Sequence, residues 1–314
     1  FDRRTTNLLM EVTLPPSTGL TSHNENAGGL YNRVFEFQID YDIFKTGDLK
    51  WNVGLTGTFL KNRITSLPIE PFLRSASYNK VEEGHSVYEW WLYQWAGVDP
   101  QTGLNIFEIA DEFIGDTSKD IVNVNGVNYT TNMAKAREDY SGSSIPDLFG
   151  GINTSLSWKG FTLSLDLYYQ LGGWTYDRAY ENVMIGALVS TNSVNLSPDL
   201  AANMWRQPGD VTNVPMLTSN AAYASNIHAA RSTRWLTTTN MLEINSLNLA
   251  YSLPKKWCER LKLSKIQVYL AGDHLYVFNA RRGLNSNYSL SNYDSGGDRF
   301  SPSRTISLGV NITL

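Results

Sequence analysis

The side chains that could do chemistry in this sequence fall into a few groups, and their spacing decides what each can support. Asp111, Glu112, Asp116 and Asp120 offer carboxylate oxygens of the kind that hold calcium. Their spacing matches no EF-hand loop, so a solvated acidic loop is expected instead. Glu82 with Glu83, or Asp111 with Glu112, has the composition of a glycosidase acid/base pair. Glycoside hydrolysis needs two carboxylates facing each other across a cleft, which sequence neighbours do not supply. His85, His228 and Ser232 form no triad with a positioned base and an orienting acid. The glycines at Gly283 and at Gly296 and Gly297 precede no helix, which argues against a phosphate cradle. The lone Cys258 excludes an intramolecular disulfide, and the 4 histidines make no metal-binding spacing. No catalytic residue, metal ligand set or cofactor is therefore assigned, and interest moves to the elements that carry the loops.

Those elements alternate. In the closing SPSRTISLGVNITL, Arg304, Ile306, Leu308, Val310, Ile312 and Leu314 fall on one face, while Thr305, Ser307, Gly309, Asn311 and Thr313 fall on the other. Period two marks a strand between two different surroundings. In a soluble sandwich the apolar face would be core; in an outer-membrane barrel it would face lipid and the small polar face would face the lumen. The same pattern runs from Gly29 to Phe44, turns at Lys45 to Asp48, and returns from Leu49 to Phe59. VYEWWLYQWAGVD and LNIFEIA read as two more strands around a Pro100 to Gly103 turn, and LFGGINTSLSWKGFTLSLDLYYQLGG reads as a hairpin turning at Trp158, Lys159 and Gly160. MLEINSLNLAYSLP and KIQVYLAGDHLYVF follow, joined by a short basic connection; the first changes phase between Ile244 and Leu247, which predicts a bulge. Between the hairpin and MLEINSLNLAYSLP, residues 173–238 form the longest insertion, with a helix expected at Pro198 capped by Ser197.

Roughly ten strands result, with long and short connections in strict alternation. All short turns must then lie at one end and all long loops at the other, the arrangement of outer-membrane barrels with periplasmic turns and extracellular loops. Composition agrees. No run approaches the length of a transmembrane helix, which leaves a barrel open because its strands need only about ten residues each. A net charge of -4 with no basic cluster in the sequence argues against a nucleic-acid binder. The chain opens within what reads as a strand, FDRRTTNLLMEV, without Met or signal peptide, so the natural polypeptide is expected to extend upstream. The alternative is a soluble carbohydrate-binding β protein, whose strands would also alternate.

Several phrases carry a resemblance. FDRRTTNLL, WAGVDPQTG, MWRQPGDVTNVP, LEINSLNLAYSLP, IQVYLAGDHLYVF and SPSRTISLGVNITL, in this order and over nearly the whole chain, are similar to the C-terminal part of the SusC/RagA type of TonB-linked outer-membrane transporters of Bacteroidetes. One departure is the end at Leu314, where that family usually closes on an aromatic. The resemblance implies an all-β antiparallel transmembrane barrel of about 22 strands with a plug in its lumen. Residues 1–314 would supply about its last ten strands, with the C-terminus periplasmic. It further implies import of oligosaccharides or peptides without enzymatic activity. Energy would pass from TonB through the N-terminal region, and a SusD-like lipoprotein would sit over the mouth. A siderophore or cobalamin receptor is the alternative within the membrane class.

On that reading the ligand is met by extracellular loops, through aromatic rings that stack on apolar faces and through amides and carboxylates that take polar groups. The candidates are Trp205, Tyr223 and Trp235 in the 173–238 insertion, and Asn285, Asn287, Tyr288, Asn292, Tyr293 and Asp294 in the 278–302 loop. The competing expectation is that such aromatics anchor loops to one another, with Trp205 on the buried face of its short helix.

Overall fold

The structure, a computed structural model, describes residues 1–13, 19, 22–45, 47–74, 77–189, 197–218, 220–281, 283–284 and 303–314. Its frame is a sheet of eight strands in which every neighbour in space is also the next strand of the frame in the chain. These are β1 (Asp2–Thr13), β2 (Ser22–Phe44), β3 (Leu49–Ser66), β4 (Leu148–Trp158), β5 (Phe161–Leu171), β6 (Met241–Ser252), β7 (Lys265–Asn279) and β8 (Thr305–Thr313). All pairings are antiparallel. No helix of the described residues is long and apolar enough to cross a membrane, which does not bear on strands.

Register turns the alternation of single strands into two continuous surfaces. Across the sheet, Ile39 pairs with Leu55, Leu55 with Ile152, Ile152 with Leu167, and Leu167 with Ile244. One row nearer the short turns run Tyr41, Val53, Thr154, Leu165, Leu247, Gly272 and Ile306. The opposite face carries Asp40, Gly54, Asn153, Asp166, Ser246, Asp273 and Thr305 in register. Its groups bond sideways, Ser246 to Asp166 at 2.7 Å and Asn52 to Asp42 at 2.8 Å. The apolar face is left open: Phe35, Ile39, Leu249, Leu270 and Leu308 are all exposed. A monomeric protein in water rarely exposes a contiguous apolar patch beyond a few hundred Å². This surface spans β2 to β8, so it is built for a solvent other than water, and lipid fits it.

Two local features hold the wall. On the apolar face Gly57 pairs with both Phe37 and Gly150, and Gly150 pairs with Tyr169. The Phe37 ring and the Tyr169 hydroxyl lie over Gly57, where a Cβ would come within 2.4 Å of Phe37, while at Gly150 a Cβ would meet the Thr56 backbone. Tyr169 Oη also donates to the Thr56 carbonyl at 2.8 Å. The predicted phase change is a bulge: pairing of β6 with β7 skips between Ile244 and Ser246, and His274 takes φ 49° opposite it. His274 Nδ1 lies 2.8 Å from Glu243 Oε1 on the polar side.

Residues 45–48, 159–160 and 253–264 join frame strands at one end, and residues 67–147 and 172–240 at the other. The strict alternation of long and short connections does not hold, because the Pro100 to Gly103 turn lies outside the frame and residues 14–21 between β1 and β2 are fewer than residues 253–264. The strand count differs from the sequence reading. VYEWWLYQWAGVD and LNIFEIA do not enter the frame; they form Glu89–Tyr93, Trp95–Val98 and Asn105–Phe107, strands of small separate sheets in the long connection between β3 and β4. They alternate because one of their faces meets a protein core, but they are too short to span a bilayer. That core is the chain's main one: Trp90, Leu92, Tyr176, Met184, Ile185, Leu200, Val214 and Trp235. It is built entirely from the two long connections. The second contributes helices α1 (Arg178–Val189), α2 (Pro198–Asn203, with Ser197 at its N-cap as expected) and α3 (Ala224–His228). A fourth short helix, α4 (Lys255–Arg260), lies in the turn before β7.

Candidate functional site

Glu89–Tyr93 pairs with Glu138–Ser143, and strict alternation divides its side chains. Trp90 and Leu92 enter the core with no exposed area, which turns Trp91 and Tyr93 to the other side. There they meet Tyr140 and Glu138 from the paired strand. Trp91 Nε1 donates to Glu138 at 2.5 Å, and Arg231 pairs with the same carboxylate. The Arg231 guanidinium lies over the Tyr93 ring at 4.6 Å, and Lys80 Nζ over the Trp91 ring at 3.8 Å. Tyr140 meets Trp91 edge-on at 4.9 Å, stacks flat on His85 at 3.8 Å and donates to Glu82 at 2.7 Å. Burial, reinforced by the Glu82 carboxylate, pushes the Tyr140 phenol far above its ordinary range, so it is a fixed hydrogen-bond donor. Lys80 pairing and the Tyr140 hydroxyl hold the Glu82 carboxyl below the usual carboxylate range. The result is an aromatic face, half-buried and rigid, framed by carboxylates and cations, and fitted to bind polar ligands with apolar faces.

Polar anchors tie the loop domain together. Glu181, without exposed area, is met by His228 Nε2 at 2.8 Å and Arg178 at 3.2 Å. Asp177 receives two bonds from Arg281, at 2.7 and 2.9 Å, tying α1 to the segment after β7. Asn105 and Asn226 exchange backbone and side-chain bonds across 121 residues of chain. Burial lowers the Arg234 guanidinium to about 10, which still leaves it charged at neutral pH. Of the groups that suggested chemistry, Ser232 Oγ donates to the Ala229 carbonyl at 2.6 Å, while His85 pairs with Glu89 and His228 with Glu181. In the acidic loop, Lys135 Nζ sits 2.8 Å from Asp116 and 3.4 Å from Asp120, where a cation would have been. Lys135 holds the Asp116 carboxyl down to about 2.

Of the residues singled out in the sequence, Trp205, Tyr223 and Trp235 lie among the described ones, in three different surroundings. Trp235 is 2% exposed, and its ring nitrogen donates to the carbonyls of His228 and Ala229, which makes it core. Trp205 lies beyond the end of α2 rather than on its buried face; its ring packs on Gly103 and its Nε1 donates to the Pro100 carbonyl at 2.9 Å. Tyr223, 39% exposed, remains available at the end of the short turn Ala221–Tyr223. Asn285, Asn287, Tyr288, Asn292, Tyr293 and Asp294 lie outside the described residues. Trp91, Tyr93 and Tyr140 were not singled out, although the alternating EWWLY, which puts a Trp on each face, carried the signal.

Relatives place this arrangement. No family model matches the chain. TonB-dependent receptor P3 of Formosa agariphila is 24% identical over 98% of the chain, and TonB-dependent receptor P39 of the same organism 22% identical over 91%. The chain is a homologue of TonB-dependent receptors. It spans 31% and 30% of the length of these two. Among solved structures, the RagAB peptide transporter superposes on the whole chain with a TM-score of 0.78 at 20% identity, using 32% of its own length. The RagAB peptide importer in its "open-open" state gives 0.73 at 19% identity. The fold is therefore that of part of a transmembrane β-barrel wall, as in these structures. Neither set of relatives is named for an enzymatic activity.

Proposed function

We propose that this chain forms part of the wall and mouth of an outer-membrane importer that works with TonB and takes up oligosaccharides or peptides. The observation that carries this is the pairing of a lipid-suited apolar face, continuous over the seven consecutive antiparallel strands β2 to β8, with a folded loop domain at one end. The long-loop end is extracellular and the short turns are periplasmic. A SusD-like lipoprotein covers the mouth, and the remainder of the barrel and its plug come from polypeptide beyond this stretch. The Trp91, Tyr93 and Tyr140 face, together with Tyr223 and the 285–294 residues, meets the ligand. That solved neighbours are described as peptide transporters supports peptide over glycan as cargo.

The test is extraction of the native protein from outer membranes in detergent, with intact masses of everything that copurifies. The expected result is a detergent-requiring species accompanied by a lipoprotein; a monodisperse species soluble without detergent would return the assignment to a soluble carbohydrate-binding β protein. Binding of oligopeptide and oligosaccharide pools to W91A and Y140A variants then asks whether this face serves the ligand. Unchanged retention of both pools would remove it from the site.

A further inference from the structure

The apolar face of β2 and β3 ends abruptly toward the long loops. The outward pair Phe35 and Phe59 is followed by Arg33 opposite Lys61, and then by Tyr31 opposite Arg63. The three cations, scattered in the sequence, thus become one exposed cluster directly above the apolar band. Arg33 rests over the Tyr31 ring at 5.2 Å and shares Asp2, at 3.2 Å, with Arg4. Among the described residues no ion pair engages Lys61 or Arg63. Pairing of β4 with β3 stops at Phe149 and Thr58, so the flank of β3 beyond that point faces the segment 143–147 across a gap. The gap is a notch of about 520 Å³, with Phe35 and Phe59 in its apolar lining and Arg33, Lys61 and Arg63 as its cations. Ser143, Glu89 and Asp147 line it as well. It lies between two inner strands of the frame, so it is complete within this chain.

Cations on a lipid-facing surface are costly unless they reach the headgroup layer and find anions there. Guanidinium forks match phosphate oxygens in pairs, and an ammonium adds a point charge. Phenyl rings one row below lie at the depth of the first acyl carbons. Ser143, Glu89 and Asp147 offer acceptors for sugar hydroxyls, which a simple phospholipid headgroup would use poorly. We infer that this notch binds a phosphorylated glycolipid of the outer leaflet, with its phosphate on Arg33, Lys61 and Arg63 and its acyl chains against Phe35 and Phe59. The inference rests on the proposed membrane orientation.

The experiment is native mass spectrometry of the full protein released from phosphatidylcholine nanodiscs doped with bisphosphorylated lipid A, with the same lipid A after dephosphorylation, or with phosphatidylglycerol. The phosphorylated lipid A should be retained about tenfold or more over the other two. R33Q/K61Q/R63Q should lower its retention to the level of the dephosphorylated form. Equal retention of both lipid A forms would overturn the site, and equal retention of phosphatidylglycerol would overturn the glycolipid assignment. The lipid comparison uses the unsubstituted protein and stands even if the triple variant fails to fold. Failure to enter nanodiscs at all is a separate outcome that removes the membrane reading with it.

Discussion

Leu165 sits in the middle of β5, on the apolar face, with Thr154 of β4 on one side and Leu247 of β6 on the other. Ser164 is its chain neighbour on the polar face, between Ser155 and Asn248. Outward positions Phe161 and Leu163 lie on its turn side and Leu167 and Tyr169 on its loop side, so Leu165 falls near the midplane of the band. An arginine at the bilayer midplane of a barrel costs about 2–4 kcal/mol, because the charge must drag water or headgroups inward. L165R should therefore shift the folding equilibrium by about 30- to 700-fold. S164R, one residue away with its charge in an aqueous lumen, should stay within about 1 kcal/mol of the parent. The assay is urea titration of the full barrel in phospholipid vesicles, read by the heat-dependent change in gel mobility and by tryptophan fluorescence. Equal costs for the two variants, or a larger one for S164R, would refute the assignment of the faces and the membrane reading built on it.

Other expectations concern the loop domain and the wall. W235A empties a fully packed site in the loop core and should cost about 3–5 kcal/mol, seen as rapid proteolysis of the loops while the barrel keeps its gel mobility. R281Q leaves Asp177 buried without its two-pronged partner and should cost the loop domain about 3–5 kcal/mol, measured as loss of hydrogen-exchange protection in α1. The Asp116 carboxyl is lowered in the fold, so its contribution is present above the ordinary value of 3.8 and is lost as pH falls through about 2. Hydrogen exchange of residues 111–135 should accelerate over that window, and K135M should weaken the dependence, leaving the part held by the Ser118 amide and hydroxyl. G57A forces a Cβ against the Phe37 ring and should cost about 1–3 kcal/mol in the same urea titration.

The frame was legible because its strands lie between two unlike surroundings for their whole length, and period two survives wherever that is true. Its start was misplaced: β2 begins at Ser22, but Ser22 to Gly28 is polar on both faces and carries no alternation. The same logic misled at EWWLY and LNIFEIA, since alternation reports a buried face and is silent on whether lipid or protein lies on the other. Strand length was the missing discriminator. The bulge at Asn245 was legible as a phase slip, because one extra residue inverts every later position. Trp235 and Trp91 were not separable by type; which tryptophan is core depends on where Glu89–Tyr93 and α1 meet, a long-range packing outcome that no local window contains.

The core assembled from the two long connections sets an order of events. Thr233 Oγ1 accepts from the Trp95 amide, 138 residues away in the chain, and Arg281 reaches back 104 residues to Asp177. Between the halves of that core run β4 and β5, whose residues belong to the membrane wall. Closing contacts of this span is slow when the intervening chain is loose. Once β3 to β6 are laid side by side, however, the ends of both connections are fixed a few strands apart. A completed wall then acts as a jig that brings the cap's apolar residues within reach of one another. Damage to strand pairing should therefore surface as an unfolded mouth.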